Sequence, residues 1–347
     1  MSMKAKILEL LREKKDRVAA GAPESEAYVS GQELCEQFGV SRTAVWKAIG
    51  QLKKEGYVIE AVQNRGYRLL DQTEEVYNQA DIQSRLKTKW VAHPLQFFDS
   101  IDSTNIRAKL EAEQGAESGL LVVSDMQSAG RGRRGRGWES PAGINIYYTL
   151  MLKPDFSSDC APMLTLVMAL AVAKGIRQTL RRDSEEAAAK VGIKWPNDIV
   201  VDGKKVCGIL TEMSMEQGYI QHIVIGVGIN VRKQEFPEEI RDRAAAIDEQ
   251  CGFRISRSQL IADIMEAFEE EYEIFLRTHD LKGLRASYAE LLVNQDREVC
   301  VLDPKGEYRG IARGINDQGE LLVERQDGTV EEVYAGEVSV RGIYGYV

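Results

Sequence analysis

Hydrophobic positions repeat with three different textures along the chain. Residues 4–20 put Ile7, Leu8, Leu10 and Leu11 on one side of a helical period, and Gly21-Ala22-Pro23-Glu24-Ser25 breaks it. A shorter helix is expected after Ser30, which stands as its cap with Glu33 three residues on, the spacing of a capping box. Gly39 marks a tight turn, Ser41 caps a further helix running to about Glu55, and Gly56 ends it. Tyr57–Val62, the turn Gln63-Asn64-Arg65-Gly66 and Tyr67–Leu70 then read as a β-hairpin. Two helices around a glycine turn, followed by a hairpin, make the layout of a winged helix-turn-helix. Its second helix sends Val45, Ile49 and Leu52 inward and leaves Ser41, Arg42, Thr43, Trp46, Lys47 and Lys53 for a groove of DNA. Arg65 at the hairpin tip is placed to meet a phosphate or the minor groove. A protein-interaction module of the same layout is the alternative.

Beyond the polar linker over 71–80, with Asp71-Gln72-Thr73-Glu74-Glu75, and a short helix over 81–87, strand-like runs alternate with helices. The expected strands are Leu95–Asp99, Leu120–Asp125, Ile144–Leu152, Gly192–Trp195, Ile199–Val201, Cys207–Met215 and His222–Asn230, with a long apolar helix over Met163–Leu180. They imply an α/β domain on a mixed sheet. Ser256–Thr278 is a further amphipathic helix, acidic on its outer face. From Asn294 the texture changes to short strands parted by glycine turns: Glu298–Asp303, Tyr308–Asn316, Leu321–Glu324, Val330–Tyr334 and Glu337–Arg341. That pattern suggests a small SH3-like barrel. Three domains are thus expected, over 1–70, 81–285 and 294–347.

Composition changes this picture in three ways. With 44% hydrophobic and 29% charged residues the chain is an ordinary globular one. No uninterrupted apolar run of about 18 residues stands out, and Met1–Leu11 lacks the apolar core of a signal peptide, so a cytoplasmic location is expected. The five cysteines are scattered without a C-x-x-C pair, and His93, His222 and His279 have no near partner, which argues against a zinc site, a disulfide framework or a local histidine triad. Residues 1–70 carry 12 Lys/Arg against 9 Asp/Glu, whereas the remainder carries 33 against 45. A mildly basic head on an acidic body suits a protein whose N-terminal part alone approaches a polyanion.

The most unusual segment runs from Gln127 to Trp138. Between Gly130 and Gly137 it holds four arginines and four glycines. Its glycines match G-x-G-x-x-G, but a dinucleotide fingerprint must open a helix, and here a turn and the strand from Ile144 follow. Nor is it a phosphate-binding P-loop, because Arg136-Gly137 stands where Lys-Ser/Thr is required. What remains is a flexible loop whose backbone N–H groups and guanidinium forks suit phosphate or carboxylate, followed by a flat indole for a purine. A nucleic-acid-binding RGG-like loop is the alternative. Gly137, directly before the tryptophan, is expected to loosen the loop's C-terminal anchor.

Ser103-Thr104-Asn105, the 127–138 loop, Lys194-Trp195-Pro196-Asn197-Asp198, Lys205-Val206-Cys207-Gly208-Ile209-Leu210 and Gly226-Val227-Gly228-Ile229-Asn230 occur in this order. Together they resemble the biotin–protein ligase family, and with the N-terminal winged helix its bifunctional ligase–repressor class. The resemblance covers nearly the whole chain. It implies a catalytic domain related to class II aminoacyl-tRNA synthetases, which converts biotin and MgATP to biotinyl-5′-adenylate and passes biotin to a lysine of a biotin carboxyl carrier protein.

By the same resemblance, Ser103, Thr104, Asn105 and Gln127, with the backbone at Arg131, Gly132 and Arg133, hold biotin's ureido end, and Gly226 and Gly228 line the pocket. Lys205, Arg133 and Arg136 are assigned to the biotin carboxylate and the phosphates, Lys194, Trp138 and Asn230 to the nucleotide. Asp198 is the Mg²⁺ candidate, or else a structural carboxylate pinning Lys194 or the turn after Pro196. Arg341 is a weaker nucleotide candidate. Operator DNA and an adenylate-promoted homodimer are the implied partners. Arg181–Glu186 reads as an insert lengthening a surface turn. A lipoate–protein ligase shares the acyl-adenylate logic, and a catalytically inactive biotin-sensing repressor is the non-enzymatic alternative.

Overall fold

The computed structural model describes residues 1–72, 74–302 and 306–334, and the backbone of 339–342. It divides into two compact units, Met1–Leu86 and Lys87–Val347.

The first unit opens with α1 (Met3–Ala19), α2 (Gly31–Phe38) and α3 (Arg42–Lys54), then the hairpin β1 (Ile59–Val62) and β2 (Gly66–Leu69), and ends on α4 (Gln79–Gln83). The expected caps form: Ser30 Oγ accepts from the Glu33 N–H at 3.0 Å and Ser41 Oγ from the Ala44 N–H at 3.2 Å. Only half of the capping box is made, because the Glu33 carboxylate faces Lys14 Nζ at 3.7 Å. Gly39 takes the left-handed conformation at φ 65°, which ends α2 and turns the chain into α3. Gly66 is obligatory for another reason: a Cβ there would stand 2.1 Å from the Val29 carbonyl oxygen, where Val29 pairs with Tyr67 beside the hairpin. Leu8, Leu11, Leu34, Val45, Ile49, Leu52 and Leu69 close one core. The unit runs past the hairpin to include α4, whose buried Asp81 is ion-paired with Arg12 and Arg85 and accepts from the Tyr57 hydroxyl at 3.1 Å.

The second unit is built on a seven-stranded sheet. In chain order come β3 (Leu95–Phe98), α5 (Thr104–Glu113), β4 (Leu120–Ser124), β5 (Ile146–Leu152), α6 (Met163–Arg181), α7 (Glu185–Ala189), β6 (Val191–Lys194) and β7 (Asp198–Val201). There follow β8 (Lys204–Glu216), β9 (Tyr219–Ile229), α8 (Ile247–Cys251), α9 (Arg257–Phe275) and α10 (Arg285–Leu291). The strand order is β3-β4-β5-β9-β8-β7-β6; β3 and β4 are parallel and the other pairs antiparallel, so the sheet is mixed.

Successive strand residues point to opposite faces, and β5 shows which helix covers which. The Tyr148 hydroxyl donates to Met168 Sδ of α6, while the neighbouring Thr149 hydroxyl meets Thr104 and Asn105 at the start of α5. Helix α6 and its partner α9 therefore seal one face, and α5 leaves the other partly open. By length and composition alone Ser158–Arg181 is apolar enough to cross a membrane, but Lys174 and Arg177 interrupt its apolar run, and its most apolar stretch is 72% buried as the core helix of this unit. Arg181–Glu186 turns at the surface as expected, although Arg182 is ion-paired with the buried Asp263 of α9 and α7 starts at Glu185.

The last strands, β10 (Glu298–Leu302), β11 (Tyr308–Ile315), β12 (Leu321–Glu324), β13 (Val330–Val333) and β14 (Ser339–Gly342), form one antiparallel sheet in the order β13-β12-β11-β10-β14. It is tied to the larger sheet where the buried Trp195 Nε1 donates to the Gly319 carbonyl at 3.0 Å.

Candidate active site

Pairing register brings the sequence motifs onto one face. Thr149 lies opposite Gly226 on β9, Gly226 opposite Leu210 and Gly228 opposite Gly208 on β8, and Gly208 opposite Asp198 on β7. Paired residues share a face, so Thr149, Gly226, Gly228, Gly208 and Asp198 all point to the side that α5 leaves open. Lys205 is three residues from Gly208, an odd spacing that would turn it away in an unbroken strand. A register shift between Ile199 and Val200 sets Val200 against Lys205 and skips Val206, which returns Lys205 to the open face. No residue-type pattern announces that bulge.

A cavity of about 380 Å³ lies on this face. Among the residues lining it are Ser103, Thr104, Asn105, Gln127, Arg131, Gly132, Arg133, Arg136, Trp138, Lys194, Asp198, Lys205, Gly226, Gly228 and Asn230. The structure thus gathers every ligand-side residue expected from sequence except Arg341, whose side chain lies outside the described residues. A neighbouring groove of about 780 Å³ shares Trp138 and Asn230 and is walled by Phe236, Pro237 and Ile240. Ile240, Arg243 and Leu302 also line the first cavity, and no sequence motif marked them. Arg243 is placed there by its backbone: its carbonyl accepts from Lys205 N–H at 2.7 Å.

One end of the cavity is neutral and hydrogen-bonding. Ser103, Thr104 and Asn105 are buried where α5 begins, and Ser103 makes no side-chain cap to that helix. Gln127 Oε1 accepts from the Thr104 N–H at 2.9 Å and lies 3.1 Å from Thr104 Oγ1, while its Nε2 donates to Ser140 Oγ at 3.0 Å. The glycines make room for protein side chains as well as for a ligand. A Cβ on Gly226 would sit 2.1 Å from Asn105 Oδ1, and one on Gly228 would sit 2.5 Å from the Trp138 indole.

The other end is cationic. Asp198 Oδ1 receives Lys205 Nζ at 2.6 Å, and Lys205 stands 5.5 Å from the Trp138 ring centroid. Asp198 thus pins Lys205 rather than belonging to a carboxylate cluster; among the described residues no group of three His, Cys, Asp or Glu is disposed to hold a metal. Arg133 Nη1 donates to Asn197 Oδ1 at 2.6 Å, and burial draws its guanidinium below the ordinary range against the pull of Asp198. Lys194 is 7% exposed.

The Gly/Arg segment is closed rather than open. Trp138 N–H donates to the Gly130 carbonyl at 3.0 Å, Gly132 N–H to that of Arg136 at 2.8 Å, and Arg131 bridges Gly137. Gly137 is therefore part of the anchor it was expected to loosen. Arg134 sits at φ 57° inside the tip, a conformation unusual for a side-chain-bearing residue.

In the first unit, Arg42, Thr43, Trp46 and Lys47 are exposed on α3, and Ser41 is exposed at its cap. Trp46, at 68% exposure, is not a packing residue. Arg65 is exposed at the hairpin tip, 5.6 Å from the Tyr28 ring.

Comparison with known proteins follows the same division. Residues 97–230 match the Biotin/lipoate A/B protein ligase family, 24–68 an HTH domain and 296–341 the Biotin protein ligase C terminal domain. The bifunctional ligase/repressor BirA of Bacillus spizizenii is 37% identical over 94% of this chain and 98% of its own. The protein of the same name from Escherichia coli is 32% identical over 90% and 92%. Among solved structures, the biotin protein ligase from Aquifex aeolicus in complex with biotin and ATP superposes with a TM-score of 0.60 at 28% identity, covering 72% of this chain and 98% of that one.

Proposed function

The chain belongs to the family of bifunctional biotin–protein ligases and repressors, and from that membership we propose how its residues divide the work. It is an ATP-dependent biotin–protein ligase, forming biotinyl-5′-AMP from biotin and ATP and transferring biotin to a lysine of an acceptor protein. Its helix-turn-helix makes it a DNA-binding transcriptional repressor as well. The finer assignments rest on one observation: a single cavity with a neutral, hydrogen-bonding end and a cationic end.

Biotin carries both features, a ureido ring at one end and a carboxylate at the other. Ser103, Thr104, Asn105 and Gln127, with the backbone of Arg131 and Gly132, take the ring against Gly226 and Gly228. The carboxylate is then directed toward Lys205 and Arg133. A carboxylate oxygen attacks the α-phosphorus of ATP and pyrophosphate leaves. Reactants of like charge repel, so the protein's contribution is fixed positive charge that water cannot supply as cheaply. Lys205, Arg133, Arg136 and Lys194 provide it. The adenine belongs in the groove beside Trp138 and Asn230. Magnesium would enter with ATP and help neutralise the triphosphate; Asp198, which Lys205 Nζ meets at 2.6 Å, is the carboxylate on this face that would stand nearest to it. In the second step the acceptor's lysine amine attacks the acyl carbonyl and AMP departs. The acceptor is a biotin carboxyl carrier protein, the setting is the cytoplasm, and the repressor acts as a homodimer.

Lys205→Ala tests the charge assignment. It should lower biotin-dependent ATP–pyrophosphate exchange by at least about a hundredfold, since one charge-assisted contact to a developing charge is removed. Biotin binding by calorimetry should weaken by about tenfold or more, because the carboxylate loses one charge-assisted contact, while the neutral end still holds the ring. An exchange rate equal to the parent's would remove Lys205 from the reaction.

A further inference from the structure

Thr149 is wholly buried in β5 and belongs to none of the motifs that mark the site. Its hydroxyl lies 2.6 Å from Asn105 Oδ1 and 2.8 Å from Thr104 Oγ1. Asn105 Nδ2 donates to Glu212 Oε2 at 2.7 Å, and Lys109 Nζ donates to Glu212 Oε1 at 2.7 Å. We infer that Glu212, held by Lys109, ends a hydrogen-bond relay that runs one way from Thr104 through Thr149 and Asn105, and that this relay keeps Thr104 Oγ1 and Gln127 Oε1 as acceptors for the ureido N–H groups of biotin. This rests on the biotin assignment above and adds the residues that set the polarity of its ring pocket.

Counting hydrogens fixes the direction. Burial pushes the Glu212 carboxyl up, but hydrogen bonds from Lys109 and Asn105 and the Lys109 charge outweigh that and hold it below the usual carboxylate range. Glu212 therefore has no proton to give, and Asn105 must turn its NH₂ toward it and its Oδ1 toward Thr149. An amide oxygen only accepts, so the single Thr149 hydrogen is committed to Asn105. The 2.8 Å contact between the threonines then requires Thr104 to donate to Thr149. With its hydrogen so placed, Thr104 Oγ1 offers only lone pairs to the cavity. Gln127 Oε1 keeps one lone pair free, because of its two near neighbours only the Thr104 N–H then donates to it.

The reverse polarity would close the pocket. With Asn105 flipped, its NH₂ would donate to Thr149, Thr149 to Thr104, and Thr104 to Gln127 Oε1, 3.1 Å away. Gln127 Oε1 would then be saturated from within the protein. A cyclic urea presents N–H donors, and they would meet a wall with too few acceptors. Gly226 belongs to the same device, since any Cβ there would displace Asn105 Oδ1.

Two substitutions in the full chain test this by steady-state ATP–pyrophosphate exchange. Glu212→Gln, at a side chain 28% exposed, lets the amide of Asn105 adopt either orientation. Thr149→Val removes the central hydroxyl at nearly constant volume. Each should raise KM for biotin by about tenfold, the scale of one buried hydrogen bond left unmade, with kcat and KM for ATP within about twofold of the parent. Thr149→Ser should restore the parental KM. With biotin methylated on one ureido nitrogen, the penalty of either variant should shrink, because one of the contacts the relay serves is already gone. Unmoved KM for biotin in both variants, or equal losses in kcat and in KM for ATP, would overturn the relay and leave these residues merely structural. A parent chain without biotin-dependent exchange would instead overturn the ligase assignment, and the relay with it.

Discussion

Replacing Arg133 by glycine is expected to let biotinyl-5′-AMP escape before transfer, so that lysines of bystander proteins become biotinylated. Arg133 joins the Gly/Arg segment to the Lys194–Asp198 turn through its bond to Asn197 Oδ1 at 2.6 Å. It also brings a half-buried guanidinium to the cavity that is assigned to the carboxylate and phosphates. Glycine removes the fork, the tie to Asn197 and backbone stiffness together. Each lost charge-assisted contact is worth about 1.5–3 kcal/mol, so dissociation of the adenylate should quicken by about tenfold to a hundredfold. Adenylate synthesis should fall less, because Lys205, Arg136 and Lys194 remain. The measurement is adenylate retention after gel filtration, alongside labelling of an added bystander protein. Retention equal to the parent's, with label confined to the acceptor, would remove Arg133 from the adenylate's grip.

Adenylate is expected to raise affinity for a two-fold-symmetric DNA site by about a hundredfold or more, the usual gain when a second binding event becomes intramolecular. One winged helix offers few base contacts: Arg42, Thr43, Trp46 and Lys47 on α3 and Arg65 on the hairpin are its exposed candidates. Alone it should bind weakly and with steep salt dependence. Pairing of two protomers joins two half-sites. The trigger we propose is ligand-driven fixing of the exposed side chains of Arg131, Arg134 and Arg136, carried on the already closed Gly/Arg segment, which lowers the entropy cost of an interface near them. Acceptor protein should oppose dimerisation because transfer consumes the adenylate. Sedimentation with and without biotinyl-5′-AMP, beside DNA titrations at one salt concentration, reads both parts. Mass and DNA affinity that ignore the adenylate would separate repression from ligation.

Local signals in the sequence carried the head of the molecule. Ser30, Gly39, Ser41 and Gly66 each do what their residue type does at a cap or turn, and the helices and hairpin follow from them. The residues assigned to a ligand were picked out for a different reason: they sit in ordered motifs, and the fold brings them to one cavity, with strand register placing Gly226 and Gly228 on its face. What stayed hidden is what depends on distant partners. Lys205 points into the cavity only because a bulge opposite Val200 reverses its side. Thr149 and Glu212 look like ordinary strand residues until β5 and β8 flank Gly226 on β9, whose missing side chain admits Asn105 between them. Arg243 and Leu302 reach the cavity from segments whose local pattern says only loop and strand. The glycines invited too narrow an explanation: Gly226 and Gly228 are bare first of all for Asn105 and Trp138.

Mass spectrometry of an isolated biotin carboxyl carrier domain, incubated with the full chain, MgATP and an equimolar mixture of biotin and lipoate, addresses the ligase assignment directly. A single biotinyl adduct on one lysine, dependent on ATP, is the predicted result. A lipoyl adduct, or an unmodified carrier after ATP has been consumed, would contradict it.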